Sequence, residues 1–177
     1  MTAKEIGDTA NLGENASALL TGEMPPSAGL DVLEEHGLYE DAVRFLAHKL
    51  PVRGGIEWGV QCVREMQPPE RKNDRDEPLA AAEMWLKAPG DPARYAARQA
   101  ADGSRDKSAS TLIAMAVFFS GGSVAPPGNP EVPPPPYCAQ KMIAGGVRIA
   151  VLSHDIANAG ERYRRVLALG RKAEVNP

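Results

Sequence analysis

Three histidines and two cysteines have the side chains in this sequence best suited to nucleophilic or metal chemistry. Acyl transfer needs a nucleophile beside a base, and metal sites use close pairs such as C-x-x-C or histidines at i, i+4. His36, His48 and His154 lie near predicted helix ends or on a polar face, and none has a recognisable nucleophile beside it. Cys62 and Cys138 are far apart in sequence, which predicts free, core-packed thiols in a reducing compartment. We therefore predict no catalytic and no metal-binding residue.

Two glycine pairs raise the question of nucleotide binding. Phosphate-binding loops use several glycines at fixed spacing, so that backbone N–H groups can surround the phosphate. Gly54-Gly55 and Gly121-Gly122 complete neither the G-x-x-x-x-G-K-[ST] frame nor a strand-linked G-x-G-x-x-G. No cofactor-binding residue is predicted, and the chain is expected not to be an enzyme.

Aromatic, proline and arginine residues are better candidates for contacts with a protein partner. Six prolines between Pro126 and Pro135, with a seventh at Pro136, predict an extended run. This run is either a ligand for an aromatic groove or, as the favoured interpretation, a brace laid over the domain. Tryptophans are more often core than interface, and the arginines of the last helix more often form a solvated face. The candidate partner-binding residues are Trp58, Trp85, Pro133, Pro134, Tyr137, Arg162 and Arg165.

Composition and charge restrict the class of protein. The chain has 177 residues, of which 43% are hydrophobic and 24% charged, values that suit one folded domain. Its net charge of −3 gives no overall attraction to phosphate, so nucleic-acid binding is disfavoured. The most apolar run, Leu112 to Phe119, is far shorter than the roughly 20 residues that span a bilayer. Because the first residues also lack a secretion-signal pattern, we expect no membrane insertion and a cytoplasmic location.

Hydrophobic periodicity predicts an all-α fold, a single compact multi-helix bundle of about seven to eight helices. Residues 1–26 show no sustained helical period and are expected to be a flexible N-terminal arm. Residues 27–172 are expected to form the helical domain, and residues 173–177 a C-terminal tail. A Gly/Pro-rich extended connection over residues 121–136 lies within the domain.

Two helices carry expectations about which face is buried or where the helix begins. Tyr95, Ala96 and Ala100 are expected to form a small-residue face that packs on a neighbouring helix. Asp155 is expected to cap the last helix, whose apolar stripe begins at Ile156.

Glycines and one apolar run carry further expectations. Gly37 is predicted to end the first helix of the domain in the left-handed conformation. The pair Gly145-Gly146 indicates the close approach of another backbone. The segment from Ala109 to Phe119 has no polar stripe, which predicts a central helix surrounded by others.

A resemblance to a known family rests on several stretches that are weak singly and specific as a set. They are Glu57-Trp58-Gly59 with Cys62-Val63-Arg64, Ala80 to Trp85, Phe118 to Ser123 followed by Ala125-Pro126-Pro127, and Glu161 to Arg165. With these stretches, over about residues 27 to 171, the chain resembles an uncharacterised all-helical family of Gram-negative bacteria. The resemblance implies an association with type VI secretion genes, and it transfers no catalytic residue.

Taken together, these patterns favour a non-enzymatic helical module that binds a protein partner, as an adaptor or accessory component of a bacterial type VI secretion system. One alternative is a small ligand-binding or enzymatic helical domain with a pocket near Trp58, Cys62 and the turn at 120–123. Another is an immunity or regulatory protein that masks a second protein through its acidic faces. The identity of the partner and the oligomeric state stay open.

Overall fold

The fold is all-α, as the sequence predicts. The computed structural model describes residues 1–71 and 75–175, and within these ranges it contains ten α-helices, one 3₁₀ helix and no strand. The expected count of seven to eight helices is too low because residues 1–26 also contain two helices. The helices are α1 (Ala3–Ala10), α2 (Glu14–Leu19), α3 (Pro26–Glu35), α4 (Tyr39–Lys49), α5 (Val52–Met66), α6 (Glu77–Lys87), α7 (Asp91–Gly103), α8 (Ala109–Phe118), α9 (Cys138–Leu152) and α10 (Ala159–Val175), with the 3₁₀ helix at Pro69–Arg71.

The expectation that residues 1–26 form a flexible arm is wrong. Thr2 and Glu5 form a reciprocal capping box at the start of α1, with N···O distances of 2.8 and 3.3 Å. The N–H of Ala3 donates to the carbonyl oxygen of Met24 at 2.9 Å, and the apolar side chains of α1 are buried. The buried residues of α1, at 3, 6, 7 and 10, have helical spacing, but most are alanine or glycine and give a weak hydrophobic signal. Contacts of α1 with α3 and α4 hold it in place.

The end of α3 lies where the sequence places it. Gly37 has a φ of 69° and its N–H donates to the Glu34 carbonyl oxygen at 3.0 Å. The next N–H, that of Leu38, donates to the Leu33 carbonyl oxygen at 2.9 Å. This pair of bonds is a Schellman motif, which satisfies carbonyl groups that the helix itself leaves free. The predicted left-handed stop at Gly37 is confirmed.

The central helix of the core is α8, which contacts α5, α6, α7 and α9. Eight of its ten residues are buried, in agreement with its lack of a polar stripe. A Cβ atom at Gly59 of α5 would lie 2.5 Å from Ile113 Cδ1. A Cβ atom at Gly146 of α9 would lie 2.7 Å from the same Cδ1 and 3.1 Å from the Ala109 carbonyl oxygen. The close backbone approach predicted for Gly145-Gly146 is therefore confirmed at Gly146.

The buried face of α7 differs from the expected one. Ala96 is exposed, and Tyr95 and Ala100 are only half-buried. At about 100° per residue, the buried face lies about 150° around the helix axis from the expected one. Alanine occurs on several faces of this helix, so small residues alone do not identify the buried one. The buried residues are Arg94, Ala97 and Ala101.

The start of α10 also differs from the expectation. Asp155 does not cap it; its carboxylate accepts a hydrogen bond from the Asn158 N–H at 3.3 Å within a turn, and the helix begins at Ala159. Ile156 is 73% exposed and lies outside the apolar stripe. At its other end α10 extends through Val175, so most of the expected tail is helical, while residues 176 and 177 lie outside the described residues.

The close approach at Gly146 makes a testable prediction. Gly146→Ala is expected to lower the free energy of unfolding by about 1–3 kcal/mol, because the new methyl group must displace Ile113 or the Ala109 carbonyl. Gly54→Ala is the matched control, since Gly54 is also helical and nothing lies within 4 Å of its Cβ position. In the control, the free energy of unfolding is expected to increase by up to about 1 kcal/mol, because alanine has a better helix propensity than glycine. Urea unfolding measures both, and a Gly146→Ala variant as stable as the parent would contradict the close approach.

Candidate functional site

The connection between α8 and α9 forms a loop with a closed base, and its residues 124–136 are named the proline segment. The Oγ atom of Ser123 accepts hydrogen bonds from the N–H groups of Ala125 and Val132, both at 3.1 Å. The N–H of Val124 donates to the Val132 carbonyl oxygen at 2.8 Å. These bonds bring the two sides of the loop together, so the prolines project from a defined base.

A tight turn forms the tip of the loop. The N–H of Asn129 donates to the Pro126 carbonyl oxygen at 3.1 Å, and Gly128 has a φ of 87°. Proline at the second position and a glycine with positive φ at the third are typical of a type II turn. Because the ring of Pro127 also restricts φ, the residue types favour this shape of the tip.

Two residues of α7 hold the base of the loop against the core. Arg94 is 4% exposed, and its guanidinium donates to the Phe118 carbonyl oxygen through Nε at 3.2 Å and Nη2 at 2.9 Å. Nη2 also donates to the Ser123 carbonyl oxygen at 3.1 Å. The Tyr95 hydroxyl lies 2.6 Å from the Ala125 carbonyl oxygen and 3.1 Å from that of Ser123. The last turn of α8 and the start of the loop are therefore fixed together.

Sequence reasoning missed the roles of Arg94 and Tyr95. The available signal was the i, i+3 spacing of Asp91 and Arg94, which form an ion pair. That spacing is common on exposed helix faces and does not show that the arginine is buried. The carbonyl groups that Arg94 binds come from residues distant in sequence, so only the fold reveals them.

The proline segment does not lie over the domain as the favoured brace. Of its seven prolines, only Pro134 is half-buried, and Pro133 is exposed with the rest. Residues 130–135 contain neither a turn nor a bend, and the proline rings hold most of this stretch near the polyproline II conformation. Val132 and Tyr137 are 48% and 42% exposed, which is high for large apolar side chains. Residues 130–135 of the segment are therefore a mostly exposed, extended and largely apolar strip, in which Glu131 is the charged side chain.

Tyr137 joins the proline segment to α9 and to the domain. It has a φ of 58°, an uncommon left-handed conformation for a residue with a bulky side chain. Its ring centroid lies 5.7 Å from that of His48 on α4. His48 is 8% exposed, and its Nδ1 donates to the Arg44 carbonyl oxygen at 2.9 Å, while Nε2 is buried without a hydrogen-bond partner. The proline segment is thus followed by a tyrosine whose ring contacts a buried histidine.

The two tryptophans among the candidate partner-binding residues are in the core. Trp58 is wholly buried and its indole N–H donates to the Val166 carbonyl oxygen at 2.8 Å. Trp85 is also buried, with the Arg53 guanidinium 6.0 Å from its ring centroid. Neither ring is available to a partner in the folded protein, so these two candidates were wrong.

The two arginine candidates on α10 have partners within the protein. Arg162 donates to the last carbonyl groups of α9, through Nε to Val151 at 2.7 Å and through Nη2 to Ala150 at 2.9 Å and Ser153 at 3.0 Å. Its hydrogen bonds are structural, since they satisfy the C-terminal end of that helix. Arg165 is exposed and forms an ion pair with Glu65. Only Pro133, Pro134 and Tyr137 of the seven candidates lie together on one surface.

The alternative pocket near Trp58, Cys62 and the 120–123 turn is not supported. Both Trp58 and Cys62 are wholly buried, so neither can contact a ligand from solvent. Burial raises the pKa of the Cys62 thiol well above its ordinary value, and the charge of Glu65 raises it further. The thiol therefore stays protonated at neutral pH, and it is a poor nucleophile in that form.

A polar cleft of 540 Å³ lies near the start of α6 and the end of α7. Asp76 lines it and caps α6 by accepting from the Leu79 N–H at 3.1 Å, and it accepts from Ser110 Oγ at 2.5 Å. Within residues 1–71 and 75–175, no three His, Cys, Asp or Glu side chains are grouped closely enough to hold a metal ion. No helix in these ranges is both long and apolar enough to cross a membrane.

The fold and the exposed strip define an all-α domain with a proline-rich loop between α8 and α9. Residues 29–173 match a family of unknown function, DUF6931, and the chain belongs to this family. The match begins within α3, so α1 and α2 precede it. Comparison with curated proteins and with solved structures gave no match.

Arg94 makes a prediction about stability. Arg94→Met is expected to lower the free energy of unfolding by about 2–4 kcal/mol, because buried carbonyl oxygens lose their charged donor. Arg98→Met is the matched control: Arg98 lies one turn later on α7 with its guanidinium 4.8 Å from the Phe118 ring centroid, and its side chain is 42% exposed. In the control, the free energy of unfolding is expected to decrease by less than about 1 kcal/mol. Equal losses in urea unfolding would show that Arg94 does not hold the loop base.

The buried ring of His48 predicts a dependence of stability on pH. Burial lowers the pKa of His48 below 6.5, although the bond to the Arg44 carbonyl opposes the shift. As the pH falls below 6.5 the unfolded chain takes up a proton before the folded protein does, so the free energy of unfolding decreases.

His48→Leu is expected to reduce the dependence of the free energy of unfolding on pH between about pH 7 and pH 5. Urea unfolding at several pH values measures this slope. His36→Leu is the matched control, because the His36 ring makes the same bond to its own helix, at 2.8 Å to the Val32 carbonyl oxygen, but is exposed. An unchanged slope in His48→Leu would contradict the assignment.

Proposed function

We propose that this protein is a non-enzymatic interaction module that presents the proline segment to an aromatic-lined groove on a partner protein. The observation that carries the proposal is the exposure of an extended, apolar proline strip on a base that Ser123 and Arg94 fix. Polyproline II ligands bind such grooves with their extended face, and apolar rings supply the contact area.

Pre-organisation of the strip supports binding. A flexible peptide loses conformational entropy when a partner orders it, whereas a strip that is already extended loses less. Proline rings restrict φ, and the hydrogen bonds of Val132 to the loop base hold one end of the strip. Tyr137 holds the other end through its ring contact with His48. An aromatic residue directly after the prolines adds a second anchor of the kind that dominates interfaces.

The charges of α10 favour a protein partner over nucleic acid. Arg164 pairs with Glu161, and Arg165 pairs with Glu65. Arg171 pairs with carboxylates of α3, at 2.7 Å to one and 2.6 Å to the other. Each of these three arginines has its charge offset by a neighbouring carboxylate, which reduces the positive surface that phosphate binding requires.

Our more specific proposal is that the module is an adaptor or accessory component of a bacterial type VI secretion system and acts in the cytoplasm. The resemblance of the sequence to a Gram-negative family supports it. The partner would then be a component of the secretion apparatus that has an exposed, aromatic-lined groove. The identity of captured partners separates this role from that of an immunity protein.

Affinity capture from the native host tests the proposal. The Pro133→Ala/Pro135→Ala double variant is expected to recover at least about tenfold less of the partner, because it loses ring contacts and pre-organisation. Pro89→Ala is the matched control, since Pro89 is an exposed proline between α6 and α7. A synthetic peptide of residues 130–139 should displace the partner from the full-length protein.

Two outcomes would contradict the proposal. One is equal recovery of every associated protein by the double variant and the parent. The other is a partner that the peptide does not displace. Secretion components among the displaced proteins would support the adaptor role, and a neighbouring toxin in their place would favour the immunity role.

A further inference from the structure

A small cleft lies between α4 and α9, and its lining includes His48, whose ring contacts Tyr137 at the end of the proline segment. Residues 40, 44 and 48 share one face of α4 because they are spaced by four, and residues 141 and 148 share the facing side of α9. The cleft has a volume of 180 Å³. This is below the roughly 300–1,000 Å³ of pockets for drug-sized ligands, so it suits a ligand of a few heavy atoms. The lining residues are Ala10, Glu40, Arg44, His48, Lys141, Ala144, Gly145 and Arg148.

One side chain of the cleft lining, that of His48, carries a buried hydrogen-bond acceptor without a partner. Nδ1 carries the proton, since it donates to the carbonyl oxygen of Arg44 on its own helix. Nε2 is therefore a lone-pair acceptor, and it is buried with no partner among the described residues. Buried polar atoms are nearly always paired, so an orphan acceptor in a side chain that lines a cleft indicates a missing donor. A ligand with an O–H group would supply that donor.

The charges around the cleft favour an anion. Arg44, Lys141 and Arg148 line it together with a single carboxylate, that of Glu40. Glu40 is already paired with Arg148 at 3.1 Å, and Arg44 lies 3.5 Å from Asp41. Within the described part of the chain, Lys141 makes no ion pair, and its charge acts on the His48 ring. Positive charge is therefore in excess where the acceptor of His48 lies.

We propose that this cleft binds a small divalent oxyanion that keeps one O–H group, of which hydrogen phosphate is the simplest. The O–H group donates to His48 Nε2, and the charged oxygens accept from Lys141 and the neighbouring arginines. Sulfate has the same charge and a similar size but no O–H group, and the same holds for the dianion of a phosphate monoester. The cleft should therefore discriminate hydrogen phosphate from both. Binding of the anion needs no protein partner, although His48 also contacts Tyr137 of the proposed partner-binding surface.

Isothermal titration of the full chain at about pH 8 tests the proposal, because burial lowers the pKa of His48 and the ring is neutral there. The probes are inorganic phosphate, sulfate and methyl phosphate at low ionic strength. Inorganic phosphate is expected to bind about tenfold more tightly than the other two, because only it satisfies the buried acceptor. Equal affinity for the three anions, or no binding of phosphate at millimolar concentration, would overturn the proposal.

Two variants distinguish the contribution of the His48 acceptor from that of the positive charge of Lys141. His48→Leu is expected to abolish the preference for phosphate over sulfate, since it removes the acceptor and leaves the cations. Lys141→Met is expected to lower the affinities for phosphate and for sulfate by a similar factor. Lys87→Met, at an exposed lysine in the last turn of α6, is the matched control and should change neither affinity. A preference for phosphate that survives in His48→Leu would overturn the role of His48.

A readout on the unaltered protein covers the case in which His48→Leu folds poorly. The ¹⁵N resonance of His48 Nε2 is expected to move upfield when phosphate saturates the protein, because the atom gains a hydrogen-bond donor. Sulfate at matched saturation should leave it in place. An Nε2 resonance that responds equally to both anions, or to neither, would overturn the proposal.

Discussion

The side chain of Ile113 fills the space that Cβ atoms at Gly59 and Gly146 would occupy. Because both positions are glycine, α5 and α9 approach α8 closely from two sides, and the centre of the domain tolerates little change of volume. Helices α6 and α7 then pack on α8, α4 packs on α9, and α10 packs chiefly on α5 and α4. The distance of closest approach at one isoleucine thus determines where the outer helices lie, and with them the proline loop and the α4–α9 cleft.

Buried or half-buried arginines complete the ends of the two central helices. A helix leaves its last carbonyl groups without intrahelical donors, and the negative end of its dipole lies there. Arg94 of α7 satisfies the end of α8, and Arg162 of α10 satisfies the end of α9. Each guanidinium reaches several carbonyl oxygens at once, which an ammonium group does less well. These arginines tie outer helices to inner ones, and Arg94 also fixes the point from which the exposed loop departs.

The sequence predicted the all-α class and the ends of helices that depend on local chemistry, such as the left-handed stop at Gly37. It also predicted the backbone approach at Gly146, because two adjacent glycines inside a helix lower its stability and a close contact explains their presence. It failed for α1, although Thr2 and Glu5 have the spacing of a capping box, and for α2. Contacts with α3 and α4 order α1, and contacts with α1 and α3 order α2. It failed likewise for Arg94 and His48, since their burial depends on carbonyls and rings that only the fold brings near.

An exposed apolar strip would ordinarily invite other chains to add along its edge. Such addition needs backbone N–H donors, and the consecutive prolines at 133–136 have none. The N–H of Val132, directly before them, is already bonded to Ser123. Along these prolines an added strand finds carbonyl acceptors but no N–H donors, so strand pairing along the strip is disfavoured although its apolar rings stay exposed.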